Sequence, residues 1–342
     1  RSVALRGAGS PRADLDQRTP QIGFDPAAGF REEELARAVA DLVHADVRTL
    51  KLSKTPTGKY NASWFVAGGE ASWVVRVAPP DDPTLHLFYE FRMMRQEPGL
   101  HELIRERTHA PVPRVVGHAV RHPAIGRDLL VMERLPGVSM AEAALGAGQT
   151  ERLLFECGRA LGEVHAITGA EYGYVGPHAP MAPQRDWPSA FAIMWDRLLA
   201  DLERCGGYSA EDGAGMRKLL DRHLKVFRRP VPACLLHMDI WAENLLCDGK
   251  GKLTGLLDWD RSLRGDPEIE FAVLDYCGIS ESAFWEGYGR PRDESPDARV
   301  RGVFYLLYEL QKYVFIRRVR GGNVASAARY RAQALSIAGR LD

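Results

Sequence analysis

From residue 31 onward, Leu35, Val39, Leu42 and Val43 recur at helical spacing. Glu32, Glu33 and Glu34 fill the first turn, where the helix dipole favours acids. The period then shortens. Residues 60–67 and 73–78 are β-branched and aromatic runs around Gly68-Gly69-Glu70, which predicts a hairpin. Prolines between 79 and 83 interrupt the pattern, and Leu85, Phe88, Met93 and Met94 predict an amphipathic helix ending near Gln96. Strands are predicted over 114–116, behind Pro111 and Pro113, and over 128–135, before Pro136-Gly137.

Beyond that point helical periodicity dominates: residues 151–166, 188–204, 215–227, a segment near Pro267, and 298 to the end. One hairpin, over 233–260, interrupts it. Residues 1–30 are rich in Arg, Gly, Pro and Asp, show no sustained periodicity, and read as a poorly ordered tail. The order of elements predicts an α+β chain of two lobes: a small β-rich lobe over 31–135 and a larger, mostly helical lobe over 136–342.

Charge narrows the function classes. The 342 residues carry 45 Lys and Arg against 45 Asp and Glu, so the formal net charge is +0. A general nucleic-acid or polybasic membrane role needs a positive excess that is missing here. No apolar run approaches the roughly 20 residues of a spanning helix. The five cysteines are scattered and nowhere spaced as C-x-x-C, which argues against a disulfide scaffold or cysteine zinc site and fits a reducing, cytoplasmic setting.

The chemistry concentrates in 235–260. Two apolar runs flank Asp248-Gly249-Lys250-Gly251-Lys252, a strong turn signal. Folded as an antiparallel hairpin, they bring Asn244 opposite Asp258, an amide oxygen and a carboxylate suited to Mg²⁺, which prefers hard oxygen ligands. Asp239, five residues before Asn244, lies on the loop leading in and is placed to accept a hydroxyl proton beside metal-bound phosphates. Phosphoryl transfer needs mainly positioning and charge neutralisation, so this set predicts a phosphotransferase. Asp266-Pro267 reads as a helix cap, and Asp260 as either a second metal contact or a brace.

The run His237-Met238-Asp239-Ile240-Trp241-Ala242-Glu243-Asn244, then Leu256-Leu257-Asp258-Trp259-Asp260, then Gly265-Asp266-Pro267-Glu268-Ile269-Glu270-Phe271-Ala272, resembles the aminoglycoside phosphotransferase and choline kinase-like family. The stretch from Gly176-Pro177 to Trp187 and the C-terminal helices are most similar to its hygromycin phosphotransferase-like branch. This resemblance implies a bilobal protein-kinase-like fold, with Asp239 as catalytic base, Asn244 and Asp258 as Mg²⁺ ligands, and His237 as a structural part of the catalytic loop. The H-R-D, D-F-G and A-P-E signatures of protein kinases are missing, which favours a small-molecule acceptor. Where the family usually has Asp, this chain has Glu270.

The resemblance also assigns the nucleotide site. Residues 52–65 take the place of the phosphate-covering hairpin, where Ser53, Thr57, Gly58 and Asn61 offer hydroxyls and backbone N–H groups. Arg76 takes the place of the cation that grips the α- and β-phosphates, and Glu90, in the helix expected to follow, is the implied partner that holds it. The run Met132-Glu133-Arg134-Leu135 joins the lobes, and its backbone at Glu133 and Leu135 would meet the adenine edge. ATP is the expected donor, with GTP left open.

Residues 255–297 hold eleven acids and four arginines, an excess suited to a cationic hydroxylated acceptor. The leading expectation is an ATP- and Mg²⁺-dependent kinase for a small-molecule hydroxyl, an aminoglycoside-like antibiotic first. A metabolic kinase for choline, a sugar or an amino alcohol is the alternative, and a catalytically silent nucleotide-binding regulatory protein is a third.

Overall fold

The computed structural model describes residues 24–55, 60–174 and 176–341. Most of the expected tail lies outside the described residues. Of its remainder, Phe24 is buried and Phe30 packs its ring 5.8 Å from Trp64, so this stretch is part of the N-terminal core.

Helix α1, Glu32–Val43, forms as its apolar spacing predicts and buries Leu35, Ala38 and Val39. It covers one face of a five-stranded antiparallel sheet in the order β1-β2-β3-β5-β4. The strands are β1 Leu50–Lys54, β2 Ala62–Gly68, β3 Ala71–Val77, β4 Val115–Ala119 and β5 Leu129–Glu133. Alternation along β2 puts Ala62, Trp64 and Val66 inward, against α1.

Between β3 and β4 the structure departs from expectation. The helix predicted to end near Gln96 does not form; short 3-10 turns occupy Pro83–Leu85 and Met93–Gln96, and the helix α2 begins only there, at Glu97–Arg107. Two forces explain the shift. Leu87 and Tyr89 are drawn into the apolar core of the C-terminal region, and Arg92 takes a left-handed φ of 64° that no helix tolerates. Pro98 then sits in the first turn of α2, where its missing N–H costs nothing.

The C-terminal region is helical, with two three-stranded sheets set into it. In chain order come β6 Val138–Ser139, α3 Ala147–Val164, β7 Thr168–Gly169, α4 Trp187–Arg204, α5 Ala210–His223, β8 Ala233–Leu236, β9 Leu245–Cys247, β10 Leu253–Leu256 and β11 Leu263–Gly265. Helices α6 Glu268–Cys277, α7 Ser282–Tyr288, α8 Pro296–Phe315 and α9 Val324–Ala338 complete it. A π-helical turn, Ile316–Arg320, extends α8 and carries the buried Arg320. Trp187, Trp195, Phe191, Phe227, Phe304 and Tyr305 form the centre of this core. Among the described residues no helix is long and apolar enough to cross a membrane, and the five cysteines are unpaired.

Candidate active site

The hairpin forms with a correction to its register. The turn pairs Leu253 with Cys247, and even after a bulge between Leu253 and Gly255 advances β10 by one residue, Leu257, not Asp258, lies across from Asn244, with its N–H donating to the Asn244 carbonyl at 3.0 Å. Asp258 follows at once, in a left-handed conformation with φ 70°. Its side chain therefore leaves at the mouth of the hairpin rather than on the ladder. Met238, beside Asp239, is also left-handed, with φ 68°. Two such non-glycine residues in one site are strain held by surrounding contacts.

Those contacts are visible. The buried Glu270 accepts from the Met238 N–H at 2.6 Å, the His237 N–H at 3.2 Å and His165 Nε2 at 2.7 Å. Burial alone would raise the Glu270 carboxyl, but the His165 bond and the neighbouring imidazoles hold it below the ordinary carboxylate range. His237 donates from Nε2 to the Leu257 carbonyl at 2.8 Å and accepts the Asp239 N–H on Nδ1 at 3.1 Å. It stitches the loop to the hairpin. Asp266 is buried and accepts from Arg229, from the Tyr305 hydroxyl and from the Glu268 N–H, a bracing position at the start of α6.

Asp239 is fixed through both carboxylate oxygens. Arg261 Nη1 donates to Oδ1 at 2.8 Å, and Asn244 Nδ2 donates to Oδ2 at 3.1 Å and to the Asp239 carbonyl at 2.8 Å. Burial pushes this carboxyl up, yet the charges of Arg261 and Lys312 and the Asn244 bond outweigh it and keep it below the usual range. The amide nitrogen of Asn244 is spent on Asp239, so its oxygen is the atom a cation could use.

Arg76 sits on β3 as expected, but its partners differ. Nη1 donates to Glu97 Oε2 at 2.5 Å, and Nη2 donates to Asp258 Oδ1 at 2.5 Å and Asp260 Oδ2 at 3.0 Å. Glu90 is not the partner of Arg76. It pairs with Arg320 at 3.0 Å and lies 3.8 Å from Arg261, because the segment that carries it is a core-anchored strap rather than a helix. Sequence reasoning missed Glu97; the signal that could have found it is Pro98, which suits the first turn of a helix. Arg261, three residues after Asp258, was also missed.

Other expected nucleotide contacts fare unevenly. Gly58 and Thr57 lie outside the described residues. Ser53 is exposed on β1 across from Phe65. The Asn61 side chain turns to the hairpin mouth: Nδ2 donates to Asp260 Oδ2 at 2.8 Å, and Oδ1 is buried without a partner among the described residues. Asp260 is thus a brace, taken up by Asn61 and Arg76, and burial with the Asp258 charge pushes its carboxyl well above the ordinary range. At the lobe junction the Glu133 N–H donates to the Arg114 carbonyl and the Arg134 N–H to the Ser72 carbonyl, while the Glu133 side chain accepts from Arg114 and Arg105. Leu135, half-buried, follows them.

The acidic stretch does not form an open floor. Asp266 and Glu268 pair with Arg229, Glu268 and Asp293 with Arg301, and Asp275 with Arg292.

A β-rich N-terminal lobe on a helical C-terminal lobe, with this carboxylate, amide and arginine cluster between them, defines a protein-kinase-like small-molecule phosphotransferase. Residues 51–299 match the phosphotransferase enzyme family, and the chain belongs to it. It is 24% identical over 291 residues to a probable ketoamine kinase from Synechocystis, an alignment spanning 81% of this chain and 88% of the relative. A candidate fructosamine-3-kinase from Thermobifida fusca superposes with a TM-score of 0.64 at 19% identity, covering 91% of this chain and 99% of that one. The aminoglycoside phosphotransferase APH(4)-Ia superposes with a TM-score of 0.62 at 16% identity, covering 90% and 99%. At these identities the superpositions establish the fold.

Proposed function

We propose that this protein transfers the γ-phosphoryl group of ATP, with Mg²⁺, to a hydroxyl of a small sugar-derived amine. The carrying observation is the fixed geometry of Asp239, whose two carboxylate oxygens are held by Arg261 and Asn244. A carboxylate so oriented, and kept ionised, can align an acceptor hydroxyl and take its proton as the phosphoryl group arrives.

Mg²⁺ fits the donor set. Asn244 offers an amide oxygen, and the Asp258 side chain is 35% exposed where Asp260 is only 3% exposed. Two protein oxygens with phosphate and water completing the shell is a common Mg²⁺ arrangement. The ion would neutralise charge on the β- and γ-phosphates. Arg76, freed from Asp258, would turn its fork to the phosphates while Glu97 and Asp260 keep it anchored. The Leu135 N–H, next to the engaged Glu133 and Arg134 N–H groups, would meet the adenine edge.

The Synechocystis relative supports a ketoamine as acceptor. A second reading, an aminoglycoside, is supported by the likeness to APH(4)-Ia, a variant of which has been solved with AMP-PNP and hygromycin B. The test is ADP release from Mg²⁺-ATP with fructosyl-lysine, hygromycin B, choline and simple sugars in turn, with Asp239→Asn alongside. One acceptor class should stimulate release, and the variant should lose at least about 100-fold. Turnover within about threefold of wild type in Asp239→Asn would remove the base assignment, and stimulation by choline alone would remove the sugar-amine reading.

A further inference from the structure

We propose that Glu90 is a positioning residue for Asp239 and acts through Arg261; the proposal rests on the assignment of Asp239 as the base. The two carboxylates share one guanidinium. Arg261 Nη1 donates to Asp239 Oδ1 at 2.8 Å, and its Nη2 lies 3.8 Å from Glu90 Oε1.

Arg261 has a long, rotatable side chain, and one anchor leaves it free to pivot. A second anchor on the other arm of the fork sets the direction from which it meets Asp239. Glu90 is suited to this because it barely moves. It is buried, and its Oε2 accepts the Leu87 N–H at 2.9 Å while its Oε1 accepts from Arg320 Nη2 at 3.0 Å. Its carbonyl accepts the Tyr60 hydroxyl at 2.7 Å, and Leu87 and Tyr89 on either side are sunk in the C-terminal core.

The ion pairs support the same role. Arg261 lies between the Asp239 and Glu90 carboxylates, and Arg320 pairs with Glu90. Without Glu90, Asp239 is the one carboxylate left paired with Arg261 among the described residues. The strap is also joined to the phosphate-covering hairpin. Tyr60 stands at the foot of that hairpin, and Arg320 lies 4.9 Å over its ring.

The test is Glu90→Gln, alone and combined with Arg261→Met, in ADP release from Mg²⁺-ATP with fructosyl-lysine, hygromycin B or water as acceptor. Glu90→Gln should lower kcat at least about tenfold and leave the KM for ATP within about twofold. In the Arg261→Met background the same change should alter kcat by no more than about twofold. An equal loss in both backgrounds, or no loss in the wild-type background, overturns the proposal. If Asp239→Asn is dead while Glu90→Gln is normal, only this proposal falls; if Asp239→Asn is active, the base assignment falls first. Should Glu90→Gln not fold, Glu90→Asp keeps the buried charge and withdraws it by one methylene, and it should show a smaller loss of the same kind.

A second readout needs no turnover. The shift in thermal midpoint caused by Asp239→Asn should differ by several degrees between wild type and Glu90→Gln, although these two residues make no direct bond. Equal shifts would mean that Glu90 only braces the strap.

Discussion

Arg76 and Glu97 are joined at 2.5 Å, a strand residue and the first residue of α2, both almost wholly shielded from water. The pair fixes the end of the helix against the sheet. Gln96 extends the tie by donating to the carbonyls of Asp260 and Ser262, so the start of α2 is bound to the loop that carries the candidate metal ligand. Removing the guanidinium would leave the buried Glu97 carboxylate without its counterion and Asp260 without a donor. Arg76→Met should lower unfolding free energy by about 3–5 kcal/mol, read by urea denaturation. A loss below about 1 kcal/mol would show that these carboxylates bear no net charge in the native protein.

Asp258 and Asp260 are two residues apart and point to different tasks. Asp258 is partly exposed and bound on one side by Arg76, whereas Asp260 is buried and held by Arg76 and Asn61. Asp258→Asn should raise the Mg²⁺ concentration for half-maximal ADP release at least about tenfold, since a neutral amide is a poorer ligand for a hard cation. Asp260→Asn should leave that concentration nearly unchanged. The reverse ranking in a Mg²⁺ titration would exchange the two roles.

Much of this site was legible in the sequence because its parts are local. Asp239, Asn244 and Asp258 lie within twenty residues, around a turn whose glycines announce it. What was not legible depends on distant packing. Periodicity around Leu85 and Met94 looked helical, but Leu87 and Tyr89 belong to the core of the other lobe, and no local pattern reports that. The helix start moved to Glu97 and with it the partner of Arg76. Likewise the turn closes with Leu253 opposite Cys247, two positions short of the pairing that would set Asp258 against Asn244, and the bulge at Thr254 recovers only one of them, a register that composition does not report.

Helix packing offers a stability test away from the chemistry. A Cβ on Gly158 of α3 would collide with the carbonyl oxygen of Phe284 on α7, and backbone cannot rotate away. Gly158→Ala should therefore destabilise by about 1–3 kcal/mol despite the better helix propensity of alanine. Gly148, near the start of the same helix, has open space at that position, and Gly148→Ala should be neutral or stabilising by up to about 1 kcal/mol. Equal thermal shifts for the two variants would contradict the close approach of α3 and α7.

Glu270 makes the acid response of the fold predictable in sign. Against the cost of its burial, the hydrogen bonds from His165 and the Met238 N–H hold its folded pKa below the ordinary value of 4.5, so the native state keeps it ionised after the unfolded chain has begun to protonate. Its contribution is fully present above about pH 4.5 and is lost as pH falls through the folded value. Glu270→Gln presents a donor where the wild-type oxygen accepts backbone N–H groups, and should cost about 2–4 kcal/mol at pH 7. Because the wild-type carboxyl itself protonates in acid, the gap between the two proteins should narrow as pH drops from 5 toward 3. Urea unfolding across that range reads it directly, and a gap constant with pH would show that Glu270 supports the Met238 turn by shape rather than by charge.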